Sequence, residues 1–145
     1  MRLTRYTDYA FRVLTYLAIK PDGGRATIKE IAEAYAISEN HLMKIIHRLG
    51  QQGFVRTIRG RQGGLELARD PDTINLGDVV RCCEDDLALV ECFDPATNQC
   101  RIAPACLLTG IAQEALDAFL AVFDQYTLAD IAAPKSRLLA ALGVR

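Results

Sequence analysis

The sequence has no apolar run near the roughly 20 residues that a membrane span needs. Its first residues lack the basic, apolar and small-residue stretches of a secretory leader. A cytoplasmic protein with no membrane role is therefore expected. No internal repeat and no low-complexity segment breaks the chain. There is no phosphate loop, no paired-carboxylate site and no nucleophile–base pair with supporting context, so the chain does not read as an enzyme. Nor is there a net excess of charge, the total being −1. Thiols in a reducing compartment stay reduced, so the five cysteines argue against a disulfide framework and toward metal or redox chemistry.

What is present is uneven. The 145 residues, half of them hydrophobic, suit one globular domain or a small domain with an appendage. Residues 1–69 carry 12 Lys and Arg against 6 Asp and Glu; residues 70–145 carry 5 against 12. The first half can meet a polyanion and the second cannot.

Leu3, Tyr6, Ala10, Phe11, Val13, Leu14 and Leu17 recur at three- and four-residue steps, which predicts a helix over 3–20. Pro21-Asp22-Gly23-Gly24 ends it. Thr27-Ile28-Lys29-Glu30 is a capping box opening a second helix to Tyr35. Ala36-Ile37 links it to a third, with Ser38 as N-cap, an apolar face of Leu42, Ile45, Ile46 and Leu49, an end near Gln52 and Gly53 as left-handed cap. The stretch 54–59 alternates with period two. A glycine-rich turn over 60–64 leads to a second short strand at 65–68. Three helices followed by a hairpin is the order of a winged helix-turn-helix. The expected fold is mainly α with a small β-hairpin wing.

Asp70-Pro71-Asp72 marks a boundary, and Asn75 caps a helix from Leu76 to about Glu84. A cysteine-bearing loop over 85–104 follows. A long helix from about Ala105 to Tyr126 then carries more apolar residues than one narrow stripe holds, which is the pattern of a dimerisation helix. Thr127 caps a short helix, and one more follows Pro134. The chain thus divides into a DNA-binding domain over 1–70, a connecting helix and loop over 71–104, and a dimerisation helix with tail over 105–145.

The second helix of a helix-turn-helix presents its N-terminal turn to the major groove. Here that turn holds Ser38, Asn40 and His41, with Lys44 one turn on and Arg48 beyond. Asn40 has the amide geometry to read adenine, and Ser38 and Lys44 suit phosphate or base contacts. Arg59, Arg61 and Gln62 at the wing tip can reach a minor groove, whose negative potential attracts arginine. Each alone is an ordinary solvated residue; together they make double-stranded DNA the expected partner.

Cys92, Cys100 and Cys106 lie within fifteen residues of irregular chain containing two prolines. No packed core needs three thiols there, and thiolates so grouped are ligands of soft metal centres, iron–sulfur clusters and zinc above all. Three thiolates leave one position for another donor. His41 and His47 could supply it, but both sit on the DNA-reading helix and read better as DNA-contact or packing residues. Cys82 and Cys83 end the preceding helix and read as small buried hydrophobes. A zinc-stapled interaction module is the alternative from a different class.

Four segments resemble the iron–sulfur winged-helix transcription regulators. They are M-R-L-T-R-Y-T-D-Y-A-F-R at the start, I-S-E-N-H-L-M-K-I-I in the third helix, I-R-G-R-Q-G-G-L in the wing and C-R-I-A-P-A-C before the long helix. N-H-L-M-K-I-I and the later Y-T-L-A-D-I are similar to the nitric-oxide-sensing branch. The resemblance implies a homodimeric repressor on a two-fold operator, controlled by nitric oxide. It implies one cluster per subunit, [4Fe–4S] in that branch, with [2Fe–2S] the alternative. It implies Cys92, Cys100 and Cys106 as ligands and Asp8, reaching across from the partner subunit, as the fourth, with Arg12 in support. Seven residues separate Cys92 from Cys100, wider than is commonest in the family; five separate Cys100 from Cys106, as is usual. Iron-responsive relatives share E-C-F and a wide first gap, so an iron- or redox-responsive regulator is the alternative within the family.

Overall fold

The computed structural model describes residues 2–21 and 24–144. Helix α1 (Arg5–Ile19) begins at Thr4, whose hydroxyl accepts the Thr7 amide. Of the turn expected after it, Asp22 and Gly23 lie outside the described residues. Helix α2 (Ile28–Tyr35) opens on the expected capping box, with the Thr27 amide donating to Glu30 at 2.6 Å and the Glu30 amide to Thr27 at 3.1 Å. Ala36 turns the chain in the left-handed region at φ 51°, and Ile37 is buried behind it. Helix α3 (Glu39–Gln51) follows. Ser38 holds the N-cap position with extended backbone, but its hydroxyl makes no capping bond, so that expectation is corrected: the side chain stays exposed.

Gly53 takes φ +71°, the left-handed cap foreseen. Strands β1 (Val55–Ile58) and β2 (Gly64–Leu67) pair antiparallel in the register Val55 to Leu67 and Ile58 to Gly64. Ala26 adds a bridge to Leu65 through two backbone bonds of 3.0 and 2.7 Å, stitching the α1–α2 connection to the wing. Helix α4 (Leu76–Cys83) starts where the Asn75 carboxamide accepts from the Gly77 and Asp78 amides. The loop holds two single 3-10 turns, 91–93 and 103–105. Helix α5 (Leu107–Asp124) begins with Cys106 at its N-cap, two residues later than expected, since residues 103–105 form a separate 3-10 turn and Cys106 takes an extended backbone, φ −84° and ψ 117°. Helices α6 (Leu128–Ala132) and α7 (Lys135–Leu142) close the chain.

One core serves both halves of the sequence. Leu14, Ile31, Leu42, Ile45 and Leu49 from the first three helices join Ile74, Leu76, Val79, Cys83 and Leu128 in a single buried cluster. Helix α1 lies at its centre, packed against α3, α4 and α6. Helix α5 packs on α4 but buries only Ala112 and Leu116 fully. Leu107, Leu108, Ile111 and Val122 stay 55–84% exposed. Among the described residues no helix is long and apolar enough to cross a membrane.

Candidate functional site: a basic reading face and a cysteine loop

Helix α3 buries Leu42, Ile45, Ile46 and Leu49, which forces its other face outward. That face carries Asn40, His41, Lys44 and His47, all exposed, with Ser38 at its entrance. Tyr6 of α1 buttresses the helix, donating its hydroxyl to the Lys44 carbonyl at 3.0 Å. The Tyr6 phenol is pushed up from its ordinary range, first by burial. Arg59, Arg61 and Gln62 are exposed at the wing tip, as expected. Arg48 is placed differently from the rest. It is half-buried, its guanidinium stacks over the Tyr6 ring at 5.7 Å, and it donates to Asp85 at 2.5 Å.

The wing is held by residues that periodicity did not single out. Glu66 accepts from Arg25 at 3.1 Å and from Arg56 at 2.5 Å, and Arg25 also donates to the Gln62 carbonyl at 2.8 Å. The Arg25 bond, then the Arg56 bond, hold the Glu66 carboxyl below its usual range. Arg25 and Glu66 lie 41 residues apart, so only the three-dimensional fold reveals the pair. The one available signal was that Glu66 is the single acid between His41 and Arg69.

All five cysteines are free thiols. Cys92, Cys100 and Cys106 are half-buried, and the Cys92 sulfur lies 3.2 Å from the Thr109 hydroxyl on α5. The wide gap between Cys92 and Cys100 is folded shut. Asp94 accepts from the Ala96 amide and the Thr97 hydroxyl, Glu91 accepts from the Gln99 amide at 2.6 Å, and Asn98 accepts from the Cys100 amide at 2.9 Å. The Ala96 bond leads in holding the Asp94 carboxyl low. The seven residues therefore form a closed loop with a thiol at each foot. Cys83 is buried as expected, and burial first, then neighbouring Cys82, pushes its thiol up to about 12. Cys82 is only half-buried.

Among the described residues no three Cys, His, Asp or Glu side chains converge on a point that one metal ion could occupy. The donor set fits a soft metal centre on chemical grounds, three free half-buried thiols sitting on an irregular loop, and an iron–sulfur cluster or a zinc ion would each need the loop to draw them together. Asp8 does not join the thiols within one chain. It is exposed on α1 and pairs with Arg12, accepting bonds of 2.7 and 3.3 Å.

Three helices, a turn in the left-handed region, a basic outward face and a hairpin wing define a winged helix-turn-helix protein of the DNA-binding transcription-regulator class. A family model described as "Rrf2: Iron-dependent Transcriptional regulator" matches residues 3–134. The chain belongs to the Rrf2 family of transcriptional regulators. It is 53% identical over 145 residues to the HTH-type transcriptional regulator NsrR of Bacillus subtilis (strain 168), covering all of this chain and 99% of that protein. Among solved structures it is similar to CymR (YrzC), the global cysteine regulator of B. subtilis. That match has 30% identity and a TM-score of 0.70, and covers 92% of this chain and 97% of the other. It is also similar to T. potens IscR, at 27% identity and a TM-score of 0.73, over 90% of this chain and 85% of that one.

Proposed function

We propose that the protein is a homodimeric transcriptional repressor whose hold on a two-fold operator is set by an iron–sulfur cluster that reacts with nitric oxide. The observation that carries this reading is the closed loop with free, half-buried thiols at its feet, joined to a DNA-reading domain. Cys92, Cys100 and Cys106 would hold one [4Fe–4S] cluster per subunit, with Asp8 of the partner subunit as fourth ligand. When bound, the cluster supplies iron that a weak carboxylate donor leaves open to attack by nitric oxide.

The chain's own part is to give Asp8 two alternatives. Arg12, one turn along α1, holds the Asp8 carboxylate when it is not serving as a ligand. Helix α1 also carries Tyr6, which supports α3, so what Asp8 does is felt by the reading helix. The unpartnered apolar face of α5 fits a second copy of itself and sets the two reading heads side by side. The loop state thereby biases a two-state dimer.

Absorbance of anaerobically isolated protein tests the cofactor: thiolate-to-iron charge transfer supports it, and colourless protein with stoichiometric zinc sinks it. Specific operator binding that persists with all three loop cysteines replaced sinks the sensing model. The words "Iron-dependent" in the family description favour iron availability as a second signal to weigh. Separate titrations of the bound cluster with nitric oxide, an iron chelator and oxygen rank the signals. Asp8→Ala with unchanged spectrum and unchanged nitric oxide reactivity removes Asp8 from the ligand set.

A further inference from the structure

Between the last turn of α4 and the cysteine loop stand two acids, Glu84 and Asp85, and each grips a different helix of the reading head. Glu84 is 9% exposed. It accepts from the Thr4 amide at 2.8 Å, the Thr4 hydroxyl at 3.1 Å and the Thr7 hydroxyl at 2.5 Å. It thus seals the N-terminus of α1 through Thr4 and Thr7, the second of them one residue before Asp8, and helix N-termini favour negative charge. Asp85 faces the other way and holds Arg48 on α3. Arg48 in turn stacks on Tyr6, whose hydroxyl binds the Lys44 carbonyl. No other charged side chain is bonded to Arg48 among the described residues.

We propose that Glu84 and Asp85 are positioning residues that tie the cysteine loop to the reading head of its own subunit, with Arg48 acting as the receiver on α3 and not as a DNA contact. This rests on the reading above only in assigning a cluster to the loop; the tie itself belongs to the metal-free chain. It supplies a route within one subunit alongside the route through Asp8 and the partner. A shift at residue 92 reaches residue 85 through six residues of loop, and from Asp85 a single ion pair reaches the helix that enters the groove.

The first measurement is backbone amide exchange in metal-free protein. Asp85→Asn keeps the size of an exposed side chain, so the fold persists. It is expected to speed exchange of the α3 amides from Leu49 to Gln51 by about threefold, within the range an exposed ion pair carries. Asp85→Glu is expected to restore the wild-type rate, and Arg48→Gln to speed exchange across residues 85–91 in return. Unchanged exchange in α3 on Asp85→Asn overturns the proposal.

The second measurement is the salt dependence of binding to a random-sequence duplex. Freeing a phosphate-contacting arginine steepens the slope of log affinity against log salt by about 0.9 for each new contact. A positioning role predicts no change in slope for Asp85→Asn; a steeper slope with tighter binding overturns it. Wild-type protein that takes up no cluster defeats the sensing reading and leaves both measurements decidable.

Discussion

Helices α3 and α5 each bury one face and leave one exposed, and the two exposed faces are chemical opposites. That of α3 shows Asn40, His41, Lys44 and His47; that of α5 shows Leu107, Leu108, Ile111 and Val122. A core constrains only the inward side of a helix; the outward side is ordinarily polar and solvated, so an apolar outward face stands apart. The α3 face suits a polyanion, and the α5 face carries apolar side chains that nothing within the subunit covers. The cysteine loop lies between these faces in the chain, with Cys106 at the very start of α5 and Asp85 bonded to α3.

The largest expected effect comes from breaking the loop while sparing both faces. Replacing Cys92, Cys100 or Cys106 by Ala is expected to abolish cluster binding and cut specific operator affinity toward the non-specific level, about a thousandfold or more. The thiols are half-buried on a loop, so the same changes should move stability by less than about 1 kcal/mol. A large fall in Tm would show that the loop thiols are structural, not sensory.

Thiol reactivity sharpens the contrast between the loop and the core. Cys83, its thiol pushed up to about 12, is expected to react with iodoacetamide at pH 8 more than about a hundredfold slower than the three loop thiols, because only thiolate attacks. A folded-state value above the unfolded one means the proton is held more tightly in the fold. The associated stability is full below about pH 8.5, the ordinary thiol range, and is lost as pH rises toward 12. Urea melts of Cys83→Ala should show less of that alkaline loss; an identical alkaline profile would exclude Cys83 as its source.

Leu128 tests whether the two halves share one core. It is fully buried against residues of the reading head. Leu128→Ala is expected to cost about 3 kcal/mol and to lower a single cooperative transition. Two separate transitions, with the reading head unmoved, would show that the halves fold apart. The smallest effect is at Ala36, at φ 51° in the turn between α2 and α3. The left-handed region costs an L-residue about 1–2 kcal/mol, and glycine's extra chain entropy offsets about 0.5–1 of that. Ala36→Gly should therefore stabilise by a few tenths of a kcal/mol, read as a small rise in Tm.

Much of the reading head was legible because its signals are local. The capping box at Thr27, the Asn75 cap, Gly53 and the alternation over 54–59 each act within a few residues. The outward set on α3 followed from the apolar set by subtraction. What stayed hidden spans long separations: Arg25 with Glu66, Glu84 with Thr4 and Thr7, and Arg48 with Asp85 are 37 to 80 residues apart. Ser38 shows the converse failure, a residue type suited to a cap whose hydroxyl is left free. The three cysteines announced soft-metal chemistry, but the closing of the Cys92–Cys100 gap depends on side-chain-to-backbone bonds that spacing alone does not encode.

Polar bonds tie α4 to the end of α5. Arg81 donates two bonds to Asp124, of 2.7 and 2.6 Å, and Asn75 donates to the Asp124 carbonyl at 2.8 Å. A Cβ on Gly77 would fall 1.8 Å from the Asp124 carboxylate, so the Arg81–Asp124 pair takes this position only with glycine there. The joint is at the far end of α5 from Cys106. An 18-residue helix is about 27 Å long at 1.5 Å per residue. Cys106 therefore lies about 27 Å along α5 from the Asp124 ion pair, and Ala112 and Leu116, both buried, seat the helix between the two ends.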